Sequence, residues 1–211
     1  GYPHGCLEQT VSKAFPQMYF AELVKSMPRS NLIISKGDDE LNPNYNIKEA
    51  IIKVSSQQNY NGGFSYWGGY DIDNWWASVY ATHFLFEAKK AGFEVGEQVF
   101  NRALEYLNSK SGSKELVEDY YYDQNTLVYR KVAPRELAYS LYVLSLAGKP
   151  NKPVLNYFKN NLDKLSPDAL YLFAAALYLS GDKSGAFKII PKDFKEDHGI
   201  INSGGSFASP I

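Results

Sequence analysis

The chain has 211 residues, which is enough for one sizeable hydrophobic core and fits one domain or part of one. Its 22 basic and 23 acidic residues leave a net charge of −1, without a basic stretch or an acidic tail. This balance argues against a nucleic-acid partner and against extended disorder. The single cysteine, Cys6, excludes an intrachain disulfide and a thiolate-rich metal site.

The two ends of the sequence suggest a piece of a larger protein. Residue 1 opens directly into a cysteine-containing segment, and residues 204–211 have the composition of a loop that leads into another helix. No signal peptide or transmembrane run is recognisable. We therefore expect residues 1–211 to be one domain, truncated at its C-terminal side and excised from a larger multidomain protein, with no direct membrane contact.

Helical spacing of apolar residues begins near the N-terminus. The first predicted helix covers 9–27, with a kink or restart at Pro16 because proline lacks a backbone donor. An exposed connection is predicted at 36–46, followed by a second helix at 47–57. A third helix, at 74–91 with Asp73 as its N-cap, is apolar on most sides, which predicts that it is buried.

The second half of the chain continues the helical pattern after one interruption. Further helices are predicted at 96–110, 134–147, 151–164, 166–180 and 183–190. Ser166 is the predicted N-cap of the helix at 166–180. The interruption, at 116–131, has a strand–turn–strand pattern that predicts a small β-hairpin.

These helices form pairs in which an amphipathic member precedes a more apolar one. The predicted pairs are 47–57 with 74–91, 96–110 with 134–147, and 151–164 with 166–180, at a repeat of roughly 40–50 residues. An amphipathic outer layer around an apolar inner layer is what an α/α toroid requires. The predicted class is therefore all-α, an incomplete α/α toroid of helical hairpins.

The chemistry of the chain centres on Cys6 and Gln9. A thiol and a carboxamide at i and i+3 lie on the same face of a helical turn. Attack of the thiolate on the carboxamide, with loss of ammonia, would form an internal thioester, which is an activated acyl group. Gly5 allows a tight turn just before the cysteine. The alternative is that Cys6 is a small buried hydrophobic residue.

The sequence GCLEQ at residues 5–9 resembles the GCxEQ thioester motif of the alpha-2-macroglobulin and complement C3 family, and residues 2–4 resemble the lead-in of its bacterial members. Residues 60–67, 73–80 and 135–144 are similar to the turn and inner helices of the thioester domain in that family. The resemblance implies the N-terminal part of the α/α-toroid thioester domain of a bacterial alpha-2-macroglobulin.

The resemblance also implies a function, partners and a location. A neighbouring domain covers the thioester until a bait region elsewhere is cleaved, and Gln9 is then transferred to a lysine amine of the target protease while Cys6 leaves. Such a trap reacts once, so the chain is expected not to be an enzyme and to need no cofactor or metal. The implied location is the bacterial periplasm, cell envelope or extracellular space.

Two neighbours of the motif have more than one reading. Glu8 is either a favourable first-turn carboxylate or a residue that orients Gln9 or the attacking group. Tyr2, four residues before Cys6, is either ordinary packing or a ring that shields the thioester from water.

In complement-type members a downstream histidine takes the acyl group and directs it to hydroxyls. The aligned position here falls at about 120–122, where all three residues are tyrosines. His4 is expected in a turn, His83 in the core and His198 in a loop. The resemblance therefore implies direct transfer to amines.

Two alternatives of other kinds stay open. The first is an (α/α)-barrel enzyme acting on glycans or isoprenoids, with carboxylates drawn from Asp71, Asp73, Glu118 and Asp119. The second is a structural toroid in which the thioester has been lost.

Overall fold

The computed structural model describes residues 6–26, 42–68, 72–123 and 126–190, and of residues 20–26 and 121–123 only the backbone. Within this part lie eight α-helices and one antiparallel pair of strands. In chain order the elements are α1 (Leu7–Ser26), α2 (Pro43–Ser56), α3 (Trp75–Lys90), α4 (Glu97–Gly112), β1 (Val117–Asp123), β2 (Thr126–Val132), α5 (Arg135–Leu146), α6 (Lys152–Lys159), a 3₁₀ turn (Leu162–Lys164), α7 (Ala169–Leu179) and α8 (Lys183–Ile189). The predicted all-α class with a small β-hairpin is confirmed.

The odd-numbered helices form an inner layer. Helix α1 packs on α3, α3 on α5, and α5 on α7. Ser12 Oγ lies 3.3 Å from Tyr80 Oη, and three residues further along each helix Phe15 packs edge-on against His83. Because the contacts advance together, α1 and α3 run in the same direction. Contacts between α3 and α5 also advance in the same direction, from Trp76 against Tyr139 to His83 against Tyr142. The N-termini of α1, α3 and α5 therefore lie at one end of the molecule.

The even-numbered helices pack on the outside of this layer. Helix α4 contacts both α3 and α5, and α8 contacts α7. Helix α2 packs mainly on α1, whereas the sequence paired it with α3. The reason is that α1 belongs to the inner layer, a role that the sequence analysis did not give it. In the part of the chain described here, no helix combines the length and the apolar character that crossing a membrane requires.

Helix α3 confirms the prediction of a buried helix. Its buried residues are Ala77, Ser78, Val79, Ala81, Thr82, Phe84, Leu85 and Ala88. The apolar ones belong to a hydrophobic cluster that α1, α2, α3 and α4 share with Val143 and Leu144 of α5, while a second cluster joins α5, α6, α7 and α8. Burial on most sides is what fixes α3 as the centre of the first half of the molecule.

The predicted exposed connection at 36–46 is wrong in its last residues, because α2 already begins at Pro43. The side chain of Asn42 accepts a hydrogen bond from the backbone N–H of Asn44 at 3.0 Å, and Pro43 occupies the first helical position. An asparagine N-cap followed by proline is a strong helix start, since proline needs no backbone partner there. Residues 36–41 lie outside the described part.

Two predicted N-caps are also wrong. Asn74, and not Asp73, caps α3, with its side chain accepting from the N–H of Ala77 at 2.9 Å. Helix α7 begins at Ala169 rather than at Ser166, whose hydroxyl donates instead to the Asp168 carboxylate at 2.5 Å. In both places adjacent residues could cap the helix, and hydrogen bonds to other groups decide between them.

Of the kink or restart predicted at Pro16, the restart is wrong. Helix α1 continues through Pro16 without a restart. Pro16 and Ser12, whose carbonyl would accept from residue 16 in a regular helix, are both exposed. Water can therefore take the place of the missing donor, and the buried face of α1 is unaffected.

A tight turn at 57–68 connects α2 to the segment before α3 and fixes that segment to its neighbours. Phe64 is completely buried, its N–H donates to Ser78 Oγ at 2.8 Å, and its carbonyl accepts from the N–H of Asn74 at 2.9 Å. Gln58 Nε2 donates to the carbonyl of Val99 on α4 at 2.8 Å. Gly62 has φ +90°, and a Cβ there would lie 2.3 Å from the carbonyl oxygen of Arg102.

Replacing Gly62 by alanine should destabilise the protein far more than the same change at Gly92. Both glycines have a positive φ, but a Cβ at Gly92 would meet nothing within 4 Å. We expect Gly62→Ala to lower the free energy of unfolding by about 3 kcal/mol, because backbone strain and a steric clash add together. Gly92→Ala should cost about 1 kcal/mol from strain alone. Chemical denaturation measures both, and equal losses would contradict the packing of the turn against α4.

Candidate functional site

Cys6 lies at the N-cap of α1. Its carbonyl accepts from the backbone N–H of Thr10 at 3.1 Å and from Thr10 Oγ1 at 3.2 Å, which is the first hydrogen bond of the helix. The residue is buried, with 5% of its surface exposed. The sulfur is therefore held at the start of a helix, where free backbone N–H groups favour negative charge.

Gln9 occupies the third helical position, N3, and its side chain is exposed. In a capping box, a glutamine or glutamate at N3 reaches back toward the N-cap residue, which in turn reaches toward N3. Cys6 and Gln9 occupy these two positions of one helical turn. Of the two side chains, the sulfur-bearing one is covered and the carbonyl-bearing one faces solvent.

Tyr66 contacts the start of α1 twice. Its carbonyl accepts from the backbone N–H of Leu7 at 2.9 Å, and its hydroxyl donates to the carboxylate of Glu8. The bond to Glu8 favours an orienting role for that residue over that of a solvated first-turn carboxylate. Sequence reasoning assigned residues 60–67 to the fold alone and missed Tyr66. Nothing in the local pattern links a residue to a partner 58 positions away.

Several predicted site residues lie outside the described part of the chain. They are Tyr2, His4, Gly5, Asp71 and His198. The roles predicted for Gly5 as the turn before the cysteine and for Tyr2 as a shield stay predictions.

His83 is half-buried among aromatic rings of the inner helices and its Nδ1 has a partner, in agreement with the predicted structural role. Its Nδ1 lies 2.8 Å from Tyr139 Oη, and its ring packs edge-on against Phe15, Tyr139 and Tyr142. Burial, assisted by the charge of Lys90, lowers the pKa of His83 to about 4. The imidazole is therefore neutral at physiological pH.

Two of the carboxylates proposed for an enzyme, Asp73 and Asp119, are engaged in structural contacts. Asp73 accepts from Asn61 Nδ2 at 2.9 Å and from Tyr106 Oη at 2.5 Å, and Lys110 lies 3.6 Å away. Burial alone would raise the pKa of Asp73, but the two hydrogen bonds and the lysine charge lower it. Asp119 pairs with Arg130 at 2.6 Å. Among the described residues, no group of three His, Cys, Asp or Glu side chains could hold a metal ion.

The depressed pKa of His83 predicts a pH-dependent stability. In the unfolded chain the imidazole has its ordinary pKa near 6.5, so between pH 6.5 and pH 4 the unfolded state binds the extra proton. Stability is thus complete above this range and falls as the pH drops through it. We expect the wild type to lose about 2 kcal/mol more than His83→Gln between pH 7 and pH 5. Denaturation at the two pH values measures this, and identical losses would contradict the burial of a neutral imidazole.

Comparison with known protein families identifies the domain. The family model described as the A-macroglobulin TED domain matches residues 1–145. The chain is 28% identical over 203 residues to alpha-2-macroglobulin of Xylella fastidiosa, covering 94% of this chain and 12% of that protein. It is 28% identical over 145 residues to that of Rickettsia conorii, covering 68% of this chain and 7% of that protein. To that of Escherichia coli it is 31% identical over 106 residues, covering 50% of this chain and 6% of the relative.

Solved structures agree with the sequence comparison. Native Escherichia coli alpha-2-macroglobulin, from domain MG7 to the C-terminus, superposes with a TM-score of 0.67 at 25% identity over 90% of this chain and 28% of that one. Salmonella alpha-2-macroglobulin reacted with methylamine gives 0.66 at 24% identity, over 94% and 13%. The predicted α/α toroid is confirmed, and the chain spans only 12% or less of these three curated relatives. This chain belongs to the A-macroglobulin TED domain family.

Proposed function

We propose that this chain is the thioester segment of an alpha-2-macroglobulin-type protease inhibitor, which captures proteases by acyl transfer from a Cys6–Gln9 thioester. The placement of the two side chains carries the proposal. Cys6 is buried at the N-cap of α1, and Gln9 is exposed at N3 of the same turn. A sulfur that is held and a carbonyl that is reachable are what a transferable acyl group needs.

Formation of the bond requires only these two side chains. The sulfur of Cys6 attacks Cδ of Gln9, a C–S bond forms, the C–N bond of the carboxamide breaks, and the thiol proton leaves with the nitrogen as ammonia. Holding the reacting groups in one turn replaces a bimolecular encounter with an intramolecular step. No cofactor or metal takes part.

Transfer to the target reverses the role of the sulfur. A lysine amine attacks Cδ of Gln9, a C–N bond forms, and the C–S bond breaks. The proton lost by the amine passes to the sulfur, so that Cys6 ends as a thiol and Gln9 as a substituted amide. The N-terminal end of α1 favours the departing negative charge. Each molecule reacts once, and the chain is accordingly a trap rather than an enzyme.

The thioester must be protected from water until the target arrives. Gln9 is exposed in the described part of the domain, so the protection has to come from outside that part. A neighbouring domain of the same protein and the ring of Tyr2 are the proposed covers. The proposed setting is the bacterial periplasm, cell envelope or extracellular space, where target proteases are met.

The alternative of an (α/α)-barrel enzyme is not supported by two of the carboxylates that it names, Asp73 and Asp119. Asp73 is held by Asn61 and Tyr106, and Asp119 by Arg130, so neither is free to act as a general acid or base. A toroid that has lost its thioester remains the alternative that the following experiment decides.

Exposure of the full-length protein to an excess of protease should produce a covalent conjugate that survives boiling in detergent. Cys6→Ser should abolish the conjugate, because the corresponding ester would not form or react in the same way. A protease whose lysine amines have been dimethylated should give far less conjugate with the wild type. Denaturing gel electrophoresis measures all three, and equal conjugation by wild type and Cys6→Ser would contradict the proposal.

The acceptor preference should favour amines over hydroxyls. Positions 120–122 carry tyrosines where complement-type members have the histidine that directs transfer to hydroxyls, and His83 is bound to Tyr139 inside the helical layer. We expect methylamine to label Gln9 in preference to glycerol at equal concentration and pH. Peptide mass spectrometry locates and quantifies the label, and preferential labelling by glycerol would show that another residue supplies the imidazole function.

A further inference from the structure

We propose that Tyr66 is a positioning residue for the thioester, whose hydroxyl holds Glu8 and thereby fixes the orientation of the first turn of α1. This inference rests on the proposed function and names a residue that acts on its chemistry without touching the reacting atoms. The contact joins two residues 58 positions apart in the chain.

The first turn of α1 has three attachments to the rest of the protein. The side chain of Leu7 is completely buried, and its backbone N–H donates to the carbonyl of Tyr66. The carboxylate of Glu8, one residue later, accepts from the hydroxyl of Tyr66. Successive helical residues point about 100° apart. Fixing residues 7 and 8 therefore sets the direction in which Cys6 and Gln9 point.

The Tyr66 side of this contact is itself rigid. Ser65 forms an antiparallel β-bridge with Asp73, and its backbone N–H donates to the carbonyl of Gln57 at 3.2 Å. Phe64 is fully buried, and a Cβ at Gly63 would lie 2.6 Å from the ring of Tyr106, so the turn is closely packed against α4. The ring of Tyr66 packs against the first hydrophobic cluster. A hydroxyl on such a support can orient a flexible partner.

The hydroxyl and the carbonyl of Tyr66 contribute different things. Any residue at position 66 would offer the carbonyl to Leu7, whereas the bond to Glu8 needs the phenolic hydroxyl. A hydrogen bond to an ionised carboxylate is among the stronger kinds. Removing the hydroxyl alone therefore tests orientation while it leaves the ring, the backbone contact and the fold in place.

The experiment compares Tyr66→Phe with Tyr106→Phe in the full-length protein. Both changes remove a phenol-to-carboxylate hydrogen bond, to Glu8 in the first case and to Asp73 in the second. The readouts are the fraction of protein lighter by one ammonia, the first-order loss of that species in neutral buffer, and the melting temperature. We expect Tyr66→Phe to shorten the thioester lifetime about tenfold, because small misplacements of reacting groups cost large factors. Tyr106→Phe should leave the lifetime within about twofold of the wild-type value, even if its melting temperature is as low as that of Tyr66→Phe.

A second set of variants shows whether Tyr66 acts through Glu8. Glu8→Gln keeps an oxygen that can accept from the hydroxyl, so its lifetime should lie between those of the wild type and Tyr66→Phe. The double variant Tyr66→Phe with Glu8→Gln should be no shorter-lived than Tyr66→Phe alone, because both changes break the same bond. Additive losses, or a Tyr66→Phe lifetime equal to that of Tyr106→Phe, would overturn the proposal.

A further readout separates this inference from the proposed function. In a Cys6→Ala background no thioester can form, and amide hydrogen exchange of the peptide spanning residues 6–10 reports the order of the first turn directly. We expect faster exchange in Tyr66→Phe than in Tyr106→Phe. If the wild type carries no thioester but this difference is present, the proposed function fails while the positioning by Tyr66 stands. If the thioester forms but neither lifetime nor exchange responds to Tyr66→Phe, the positioning fails alone.

Discussion

The way in which one helix begins governs the rest of this structure. The first N–H groups of any α-helix lack partners within the helix and must find them elsewhere. In α1 the N–H of Leu7 is satisfied by the carbonyl of Tyr66, which belongs to the loop before the next inner helix. That loop is bonded in turn to Ser78 on α3 and Val99 on α4. The positions of Cys6 and Gln9 therefore depend on tertiary contacts with three other elements and not on local helix propensity.

The parallel course of the inner helices places the loops that precede them at the same end of the molecule. The turn at 57–68 touches the start of α1, and Ala133, just after β2, donates its N–H to the carbonyl of Lys164 at 2.8 Å. Arg135, at the start of α5, pairs with Asp168, just before α7, at 2.9 Å. One face thus collects the start of α1 and the segments before the later inner helices. A neighbouring domain would need to contact only this face to cover the sulfur and the carbonyl of the proposed thioester.

Much of the fold could be predicted from the sequence, because the apolar spacing within each helix is set by the core it faces. Helix starts were harder to predict, since adjacent residues could cap the same helix. The sequence predicts Asp73 as the N-cap of α3, but Asn74 caps this helix, and the carboxylate of Asp73 is bound by Tyr106 of α4, which no local pattern reveals. The Cys6 and Gln9 pair could be recognised because its partners are three residues apart. Tyr66 could not, because its contact with Glu8 exists only once α1 and α3 have packed.

The most direct measurement is the intact mass of the native full-length protein, prepared without amines or denaturing conditions. A bond between Cys6 and Gln9 forms with loss of one ammonia, so we expect the mass to fall short of the sequence mass by that amount. Denaturation in water should then hydrolyse the bond and leave a free thiol at Cys6. A native protein with the full sequence mass and a freely titratable Cys6 thiol would show that this turn of α1 carries no thioester.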